Sequence, residues 1–359
     1  MPMYKYNLKL EFGSNVLKWF KINKRDLPFR KDKDPYKVWL SEIILQQTQM
    51  DTGIRYYKRF IKTFPNIIKL SEASEENVYS MWKGLGYYNR AKNLHKTAKI
   101  ITTNFKGIFP TDYDELLKLP GIGKYTASAI SSICFKERRF VIDANVFRVI
   151  SRYVGVKENI SKPSSYDHFE KISKKLAVKV EDIGLYNEAL MDFGSLVCRP
   201  KKPKCNVCNN KKTCYSFINN TQEKYPIKEK IKKRKRRYFN YFAIENKSKY
   251  LIQKRTKKDI WNNLYEFFLI EDKNTSAAIN LFKKNTNIEV GYFKPENTLK
   301  RLSQLSHQSI RVIFYRIFIR NKRDFCNIKK NLALKEIEKG EIQKVGFPKV
   351  IDNYLKYNS

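Results

Sequence analysis

Two acids and four thiols carry most of the chemistry open to this chain. Glu42 stands in Ser41-Glu-Ile-Ile-Leu45, one carboxylate among apolar neighbours. On a solvated helix face opposite Ile43 and Ile44 it would be an ordinary charged residue. In a pocket with apolar walls its ionised form would be disfavoured, and it could give up a proton near neutral pH. Helical periodicity does not choose between the two. Asp143 follows Phe140-Val-Ile142, an apolar run that should be buried. Cys198, Cys205, Cys208 and Cys214 are spaced C-x6-C-x2-C-x5-C. A structural zinc site usually shows two Cys-x2-Cys pairs, and only one is present, so four thiolates in this uneven loop suit a cubane [4Fe–4S] cluster better. Cys134 and Cys326 lie outside the loop and read as buried thiols.

These groups need elements to position them. Apolar helical patterns lead into and out of Leu119-Pro-Gly-Ile-Gly-Lys-Tyr-Thr-Ala127, which reads as helix, tight hairpin, helix. Gly121 and Gly123 let a backbone approach closely, and the free N–H groups of the next helix could hold a phosphate, with Lys124 adding charge. An ordinary helix–helix turn would show the same glycines. From Trp39 to Phe60 the pattern is helical with an interruption near Gly53, and Ser71 is a plausible N-cap for a helix to Tyr79. Gly84 and Gly86 beside Tyr87 and Tyr88 suggest an exposed turn presenting an aromatic ring, which could wedge into a base stack, although core packing is the commoner use of tyrosine. Helices are also expected over Val16–Phe20, Ala91–Thr102 and from Asp143 to Tyr153.

Length allows about two domains, and a hydrophobic fraction of 42% argues against disorder. The formal charge of +38 attracts polyanions, nucleic acid first and an anionic membrane surface second, although heavy use of lysine throughout accounts for part of it. Arg199, Lys201, Lys202, Lys204, Lys211 and Lys212 crowd the cysteine loop, which suits a phosphate clamp rather than an electron store. No apolar run reaches membrane-spanning length and Met1 to Leu10 lacks a signal-peptide core, so a cytoplasmic, nucleoid-associated monomer without membrane contact is expected.

The division expected is a helical region over residues 1–222, a basic linker at 223–237 with little to bury, and an α+β domain over 238–359. Strands are expected at Tyr238–Ile244, Tyr250–Lys254 and Ile310–Ile319, with helices near Ser276–Lys284 and Phe347–Tyr357.

The hairpin with Asp143 downstream resembles the helix-hairpin-helix superfamily of DNA glycosylases, and the cysteine loop resembles that of its endonuclease III and adenine glycosylase branch. Leu27-Pro-Phe-Arg30, Asp34-Pro-Tyr-Lys-Val-Trp-Leu-Ser-Glu42, Leu45-Gln-Gln-Thr48 and Gly84-Leu-Gly-Tyr-Tyr88 resemble motifs of adenine DNA glycosylases of the MutY type. The resemblance spans essentially the whole chain, strongly to Cys214. It implies a six-helix barrel with the hairpin over about 27–141, and a cluster-bearing domain formed by 1–26 and 142–222. It further implies removal of adenine opposite 8-oxoguanine or guanine in double-stranded DNA, with Glu42 as proton donor and Asp143 stabilising the sugar cation. Gln47 and Tyr87 would insert into the duplex. Arg30, Thr48, Gly121, Gly123 and Lys124 would also contact DNA.

The chemistry agrees. Cleavage of an N-glycosidic bond passes through an oxocarbenium-like state and needs an acid for the leaving base and an ionised carboxylate facing the sugar. Asn145 would orient water or Asp143. Tyr125 occupies the position at which related thymine-glycol glycosylases carry a nucleophilic lysine, and it cannot form a Schiff base, so a monofunctional enzyme is expected. Trp261-Asn-Asn-Leu-Tyr-Glu-Phe-Phe268 and Leu305-Ser-His307 resemble segments of the Nudix-like domain that recognises 8-oxoguanine, with Ser306 and His307 reading the lesion. The glutamate-rich motif of Nudix hydrolases is absent, so no pyrophosphatase is expected. Phe29 and Ala144 replace the usual Trp and Gly, mild departures, and the linker is a place where repair or replication partners could dock.

Overall fold

The computed structural model describes residues 11–229, 235–257, 259–287, 301–304 and 308–357. Twelve helices are described before the linker: α1 (Phe12–Asn23), α2 (Pro35–Leu45), α3 (Met50–Thr63), α4 (Ile67–Glu72), α5 (Glu75–Trp82), α6 (Asn89–Asn104), α7 (Tyr113–Leu117), α8 (Lys124–Cys134), α9 (Ala144–Val154), α10 (Ser165–Leu176), α11 (Ile183–Leu196) and α12 (Tyr215–Ile218). Beyond it lie strands β1 (Lys235–Asn246), β2 (Lys249–Lys254), β3 (Tyr265–Glu266), β4 (Phe268–Glu271), β5 (Arg301–Gln304), β6 (Gln308–Phe318) and β7 (Lys335–Glu338). Helices α13 (Thr275–Thr286), α14 (Lys322–Asn331) and α15 (Lys349–Tyr357) are interspersed among them. Two compact units result, Met1–Glu72 with Asn93–Lys230, and Ala73–Lys92 with Ile231–Ser359.

In the first unit α2 is buried almost all round, from Tyr36 through Ile44 apart from Lys37, because its one polar-capped end is the only part made for water. Asp34 caps it by accepting from the Lys37 N–H at 3.1 Å, and Pro35 opens its first turn. The chain breaks after Leu45 at Gln46–Gln49, where Gln47 takes φ 55°, and not at Gly53. Gly53 lies inside α3, where a Cβ would stand 2.5 Å from Leu45 Cδ2, so its role is close approach and not interruption. A second packing centre joins α1, α9, α10 and α11 through Phe12, Val16, Ile150, Phe169 and Leu190, with Trp19 edge-on to Phe193 at 5.2 Å. Burying side chains of this size contributes about 1.5–3 kcal/mol each.

Some local expectations change. Ser74, not Ser71, caps α5 by accepting from the Asn77 N–H at 3.2 Å, and Ser71 bonds back to the Ile68 carbonyl instead. Segment 73–92, placed by sequence within the barrel region, belongs with the C-terminal unit because its Tyr88 and Lys83 find their partners at Phe347 and Asp352. The described part of the basic linker is ordered at both ends: Tyr225 is buried and its carbonyl accepts from Arg152, while Lys235 to Arg237 already belong to β1. Cys326 is exposed and Cys134 half-buried, so neither is the fully buried thiol expected.

The second unit is a mixed sheet in which β1 and β6 run parallel from Lys235↔Gln308 to Glu245↔Phe318. Alternate residues of β1 feed two cores. Tyr241 stacks on Phe314, which stacks on Tyr354 of α15, whereas Phe242 stacks on Phe282 of α13 at 4.1 Å. Helices therefore cover both faces, and the α+β assignment holds. The segment Leu305–His307 lies outside the described residues. No described helix is long and apolar enough to cross a membrane.

Candidate active site

A pocket of about 840 Å³, mouth included, opens in the first unit with Glu42 from α2, Tyr125 from α8, and Asp143 and Asn145 at the head of α9 on its wall. Glu42 is 9% exposed. The Tyr125 hydroxyl donates to its Oε2 at 2.6 Å and also lies 3.6 Å from Met191 Sδ. Burial pushes the Glu42 carboxyl up to about 7; the Tyr125 hydrogen bond opposes this and the charge of Asp143 adds to it. The buried alternative weighed for Glu42 is the one realised, because α2 has no solvated face at that position.

Asp143 is the N-cap of α9, and its two oxygens are separately held. Oδ1 accepts from the Val146 N–H at 2.7 Å and Oδ2 from Asn145 Nδ2 at 2.7 Å. Burial raises its pKa above the ordinary carboxylate value, and these donors hold the rise back. Sequence places this acid simply as ionised; the desolvation that lifts it follows from its burial in the same pocket as Glu42. Asn145 is itself oriented, its Oδ1 accepting from Arg148 Nη2 at 2.8 Å. Arg148 also donates to the Cys198 carbonyl at 2.7 Å and the Gly194 carbonyl at 2.7 Å, so one guanidinium joins the Asp143 end of α9 to the cysteine loop.

The far wall is ionic. Asp192 is fully buried, with Arg25 Nε at 3.0 Å and Arg30 Nη1 at 2.8 Å, and Arg30 Nε pairs with Glu188 at 3.1 Å. Burial would raise Asp192, but the hydrogen bonds from Arg30 and Arg25 outweigh it and hold its carboxyl below the usual range. Glu188 is shifted the other way, upward by burial.

The hairpin takes the shape its sequence demands. Gly121 has φ 79°, and a Cβ there would stand 2.8 Å from Asn93 Cβ; around Gly123, the N-cap of α8, a Cβ would meet nothing within 4 Å, leaving the α8 N–H groups open to an anion. Lys124 does not line the pocket. Its ammonium pairs with Asp167 at 2.5 Å on the outside, which raises its pKa and keeps it protonated.

Cys198, Cys205, Cys208 and Cys214 line one void of about 350 Å³. Arg152 spans it, with Nη1 3.5 Å from Cys198 Sγ and 2.6 Å from the Arg199 carbonyl. Among the described residues no three His, Cys, Asp or Glu groups converge on a point that a single metal ion could occupy.

An adenine DNA glycosylase of Buchnera aphidicola subsp. Schizaphis graminum (strain Sg) is 35% identical over 353 residues, covering 96% of this chain and 98% of that protein. This chain belongs to the adenine DNA glycosylase family. A second such enzyme, from Buchnera aphidicola subsp. Acyrthosiphon pisum (strain APS), is 38% identical over 307 residues, 83% of this chain and 84% of that one. Residues 40–176 match the HhH-GPD superfamily base excision DNA repair proteins, and residues 240–357 match the NUDIX domain. A thermostable thymine-DNA glycosylase of known structure superposes with TM-score 0.53 at 28% identity, over 59% of this chain and 98% of that one.

Within this adenine DNA glycosylase family member, the pocket brings together Glu42, Tyr125, Asp143, Asn145, Thr48 and Arg30. Gln47 is exposed on the turn after α2, and Tyr87 is 48% exposed in the second unit. Arg30, expected to contact DNA, lines this pocket with its guanidinium held by Asp192 and Glu188. Ser306 and His307 lie outside the described residues. Sequence reasoning missed Arg25, Glu188, Met191 and Asp192. The signal was visible: Glu188 and Asp192 stand four apart in Tyr186-Asn-Glu-Ala-Leu-Met-Asp-Phe193, two acids on one face of an otherwise apolar helix.

Proposed function

We propose that this protein removes adenine mispaired with 8-oxoguanine or guanine from duplex DNA by hydrolysing its N-glycosidic bond. The observation that carries the reading is one pocket that holds a buried acid, Glu42, its pKa pushed up to about 7, and a hydrogen-bonded carboxyl group, Asp143. The adenine nucleotide leaves the stack at a cost of a few kcal/mol, least at a mispair, and enters this pocket. Glu42 gives its proton to the departing base, and Asp143, ionised once positive charge grows on the sugar, faces that charge while Asn145 fixes its orientation. Water completes the hydrolysis, leaving an abasic site. Arg30 and Glu188 supply polar groups for the base edge.

No lysine serves as nucleophile. Tyr125 holds the hairpin position and Lys124 is turned outward to Asp167, so strand cleavage does not follow base release. The open hairpin N–H groups and the exposed Arg199, Lys201, Lys202 and Lys204 track the phosphates. The four cysteines would hold a [4Fe–4S] cluster, which when bound pins this basic loop and leaves the chemical step to the acids. The NUDIX-like domain, through Ser306 and His307, would read 8-oxoguanine, and the linker offers a docking site for repair partners.

The deciding test is a single-turnover assay on duplexes holding adenine opposite 8-oxoguanine, guanine or thymine. Release of adenine from the first two without strand scission is expected; release from none, by protein whose visible absorbance shows a filled cysteine site, removes the proposal. The rate should fall as pH rises through about 7, because only protonated Glu42 serves the base. Tyr125→Phe removes the hydrogen bond that favours the ionised form, so this limb should move to higher pH. A limb that stays in place, followed across pH 5–9, would assign it to another group. Cys205→Ser should weaken duplex affinity by about tenfold and leave the single-turnover rate at saturating enzyme close to parental.

A further inference from the structure

The turn that presents Tyr87 is held from the other end of the chain. Tyr87 has φ 50°, a left-handed backbone that a tyrosine adopts only when its surroundings impose it. Inside the turn, Trp82 Nε1 donates to the Gly86 carbonyl at 3.0 Å, and the Arg90 guanidinium lies 5.2 Å from the Trp82 ring and 5.6 Å from the Tyr87 ring. Two ties then lead to the segment around α15. The Tyr88 hydroxyl donates to the Phe347 carbonyl at 3.2 Å, and Lys83 pairs with Asp352 at 3.0 Å, both side chains being nearly buried. Gly346 packs against the same segment, the position of its missing Cβ lying 3.5 Å from Tyr88 Cε1 and 3.7 Å from Tyr79 Cβ, ordinary contact distances. Tyr79 in turn meets the Tyr88 ring edge-on at 6.0 Å.

We propose that the α15 segment is a brace that positions the Tyr87 ring for insertion into the base stack, with Tyr88, Lys83 and Asp352 as positioning residues. Residues 73–92 belong to the same compact unit as the NUDIX-like domain, so the wedge is carried by the unit expected to read the lesion and not by the unit that holds the acids. Docking of that domain on a lesion then bears on the wedge through the Tyr88 and Lys83 ties. The inference rests on the reading of Tyr87 as a wedge.

The test is a double-mutant cycle in the full-length protein. Asp352→Asn and Tyr88→Phe are each made alone and with Tyr87→Ala. Each is assayed for single-turnover adenine release opposite 8-oxoguanine and for fluorescence of a 2-aminopurine placed beside the lesion, which brightens when the stack opens. Tyr88→Phe keeps the ring and deletes only the hydroxyl, so it tests the brace even if Asp352→Asn unfolds. Each brace variant should slow release by about fivefold, dim the 2-aminopurine signal, and add nothing further once Tyr87 is alanine. Parental behaviour of both brace variants, or their full penalty persisting beside Tyr87→Ala, overturns the brace alone. A Tyr87→Ala protein with parental rate and parental 2-aminopurine signal overturns the wedge reading, and the brace falls with it.

Discussion

Glu42→Gln should lower the single-turnover rate of adenine release by about 10²–10⁴ while leaving affinity for the lesion duplex nearly unchanged. The amide keeps the volume of the carboxyl and an oxygen that still accepts from the Tyr125 hydroxyl, so the pocket wall stands. What it lacks is a proton to give. Affinity is measured for both proteins on a duplex whose target nucleotide is an uncleavable carbocyclic analogue; loss of binding together with rate would make Glu42 a structural residue. Stability supplies an independent check with a definite sign. Burial raises this carboxyl from its ordinary value to about 7, so the folded state binds the proton more tightly than the unfolded chain does. The parent therefore loses stability as pH rises from about 4.5 through 7, by up to about 3 kcal/mol, and glutamine has nothing to lose. Glu42→Gln should melt higher than the parent at pH 8, and the gap should close toward pH 4.5. An inactive protein that is more stable only at high pH is the signature of an acid kept neutral for use.

The elements were legible where one local rule governed them. Periodicity alone carries α6, α8 and α9, and the alternation in β1 and β6 carries the sheet. It failed at Gly53, where the glycine answers to a leucine on the neighbouring helix, and at Ser71, where a better cap three residues on takes the role. The first is a tertiary fact that no window on the sequence contains, and the second is a choice between two serines that local pattern offers equally. The site divides in the same way. Glu42, Asp143 and Tyr125 were readable because their neighbours have distinctive types. The Arg25–Asp192–Arg30 wall was harder to read, because the acid lies more than 160 residues from its two arginines, and the spacing of Glu188 and Asp192 marks the helix face without naming the partners. Arg30 shows what residue type leaves out: it lines the pocket, and the buried aspartate that fixes it there lies 162 residues away. Segment 73–92 shows that chain order does not give the unit a residue belongs to, since Tyr88 is answered by Phe347.

Asp143→Asn is the second large loss, about 10²–10³ in single-turnover rate, the scale of removing one preorganised charge from a developing ion. Asparagine is as good an N-cap as aspartate, and its oxygen can still accept from the Val146 N–H, so α9 should keep its start and the melting temperature its value. Asp143→Ala, in contrast, forfeits the cap as well and should cost about 1 kcal/mol of stability beside the rate. The comparison separates the two duties of one side chain. A parental rate in Asp143→Asn would leave this residue a cap and nothing more. The neighbouring acid gives a second readout. The Asp143 charge is one cause of the raised Glu42 pKa, so removing it should move the limb near pH 7 downward, opposite to the shift expected for Tyr125→Phe. Two substitutions on different helices that move one titration in opposite directions require their carboxylate to sit between them, and that is the arrangement on which hydrolysis of a flipped adenine nucleotide depends.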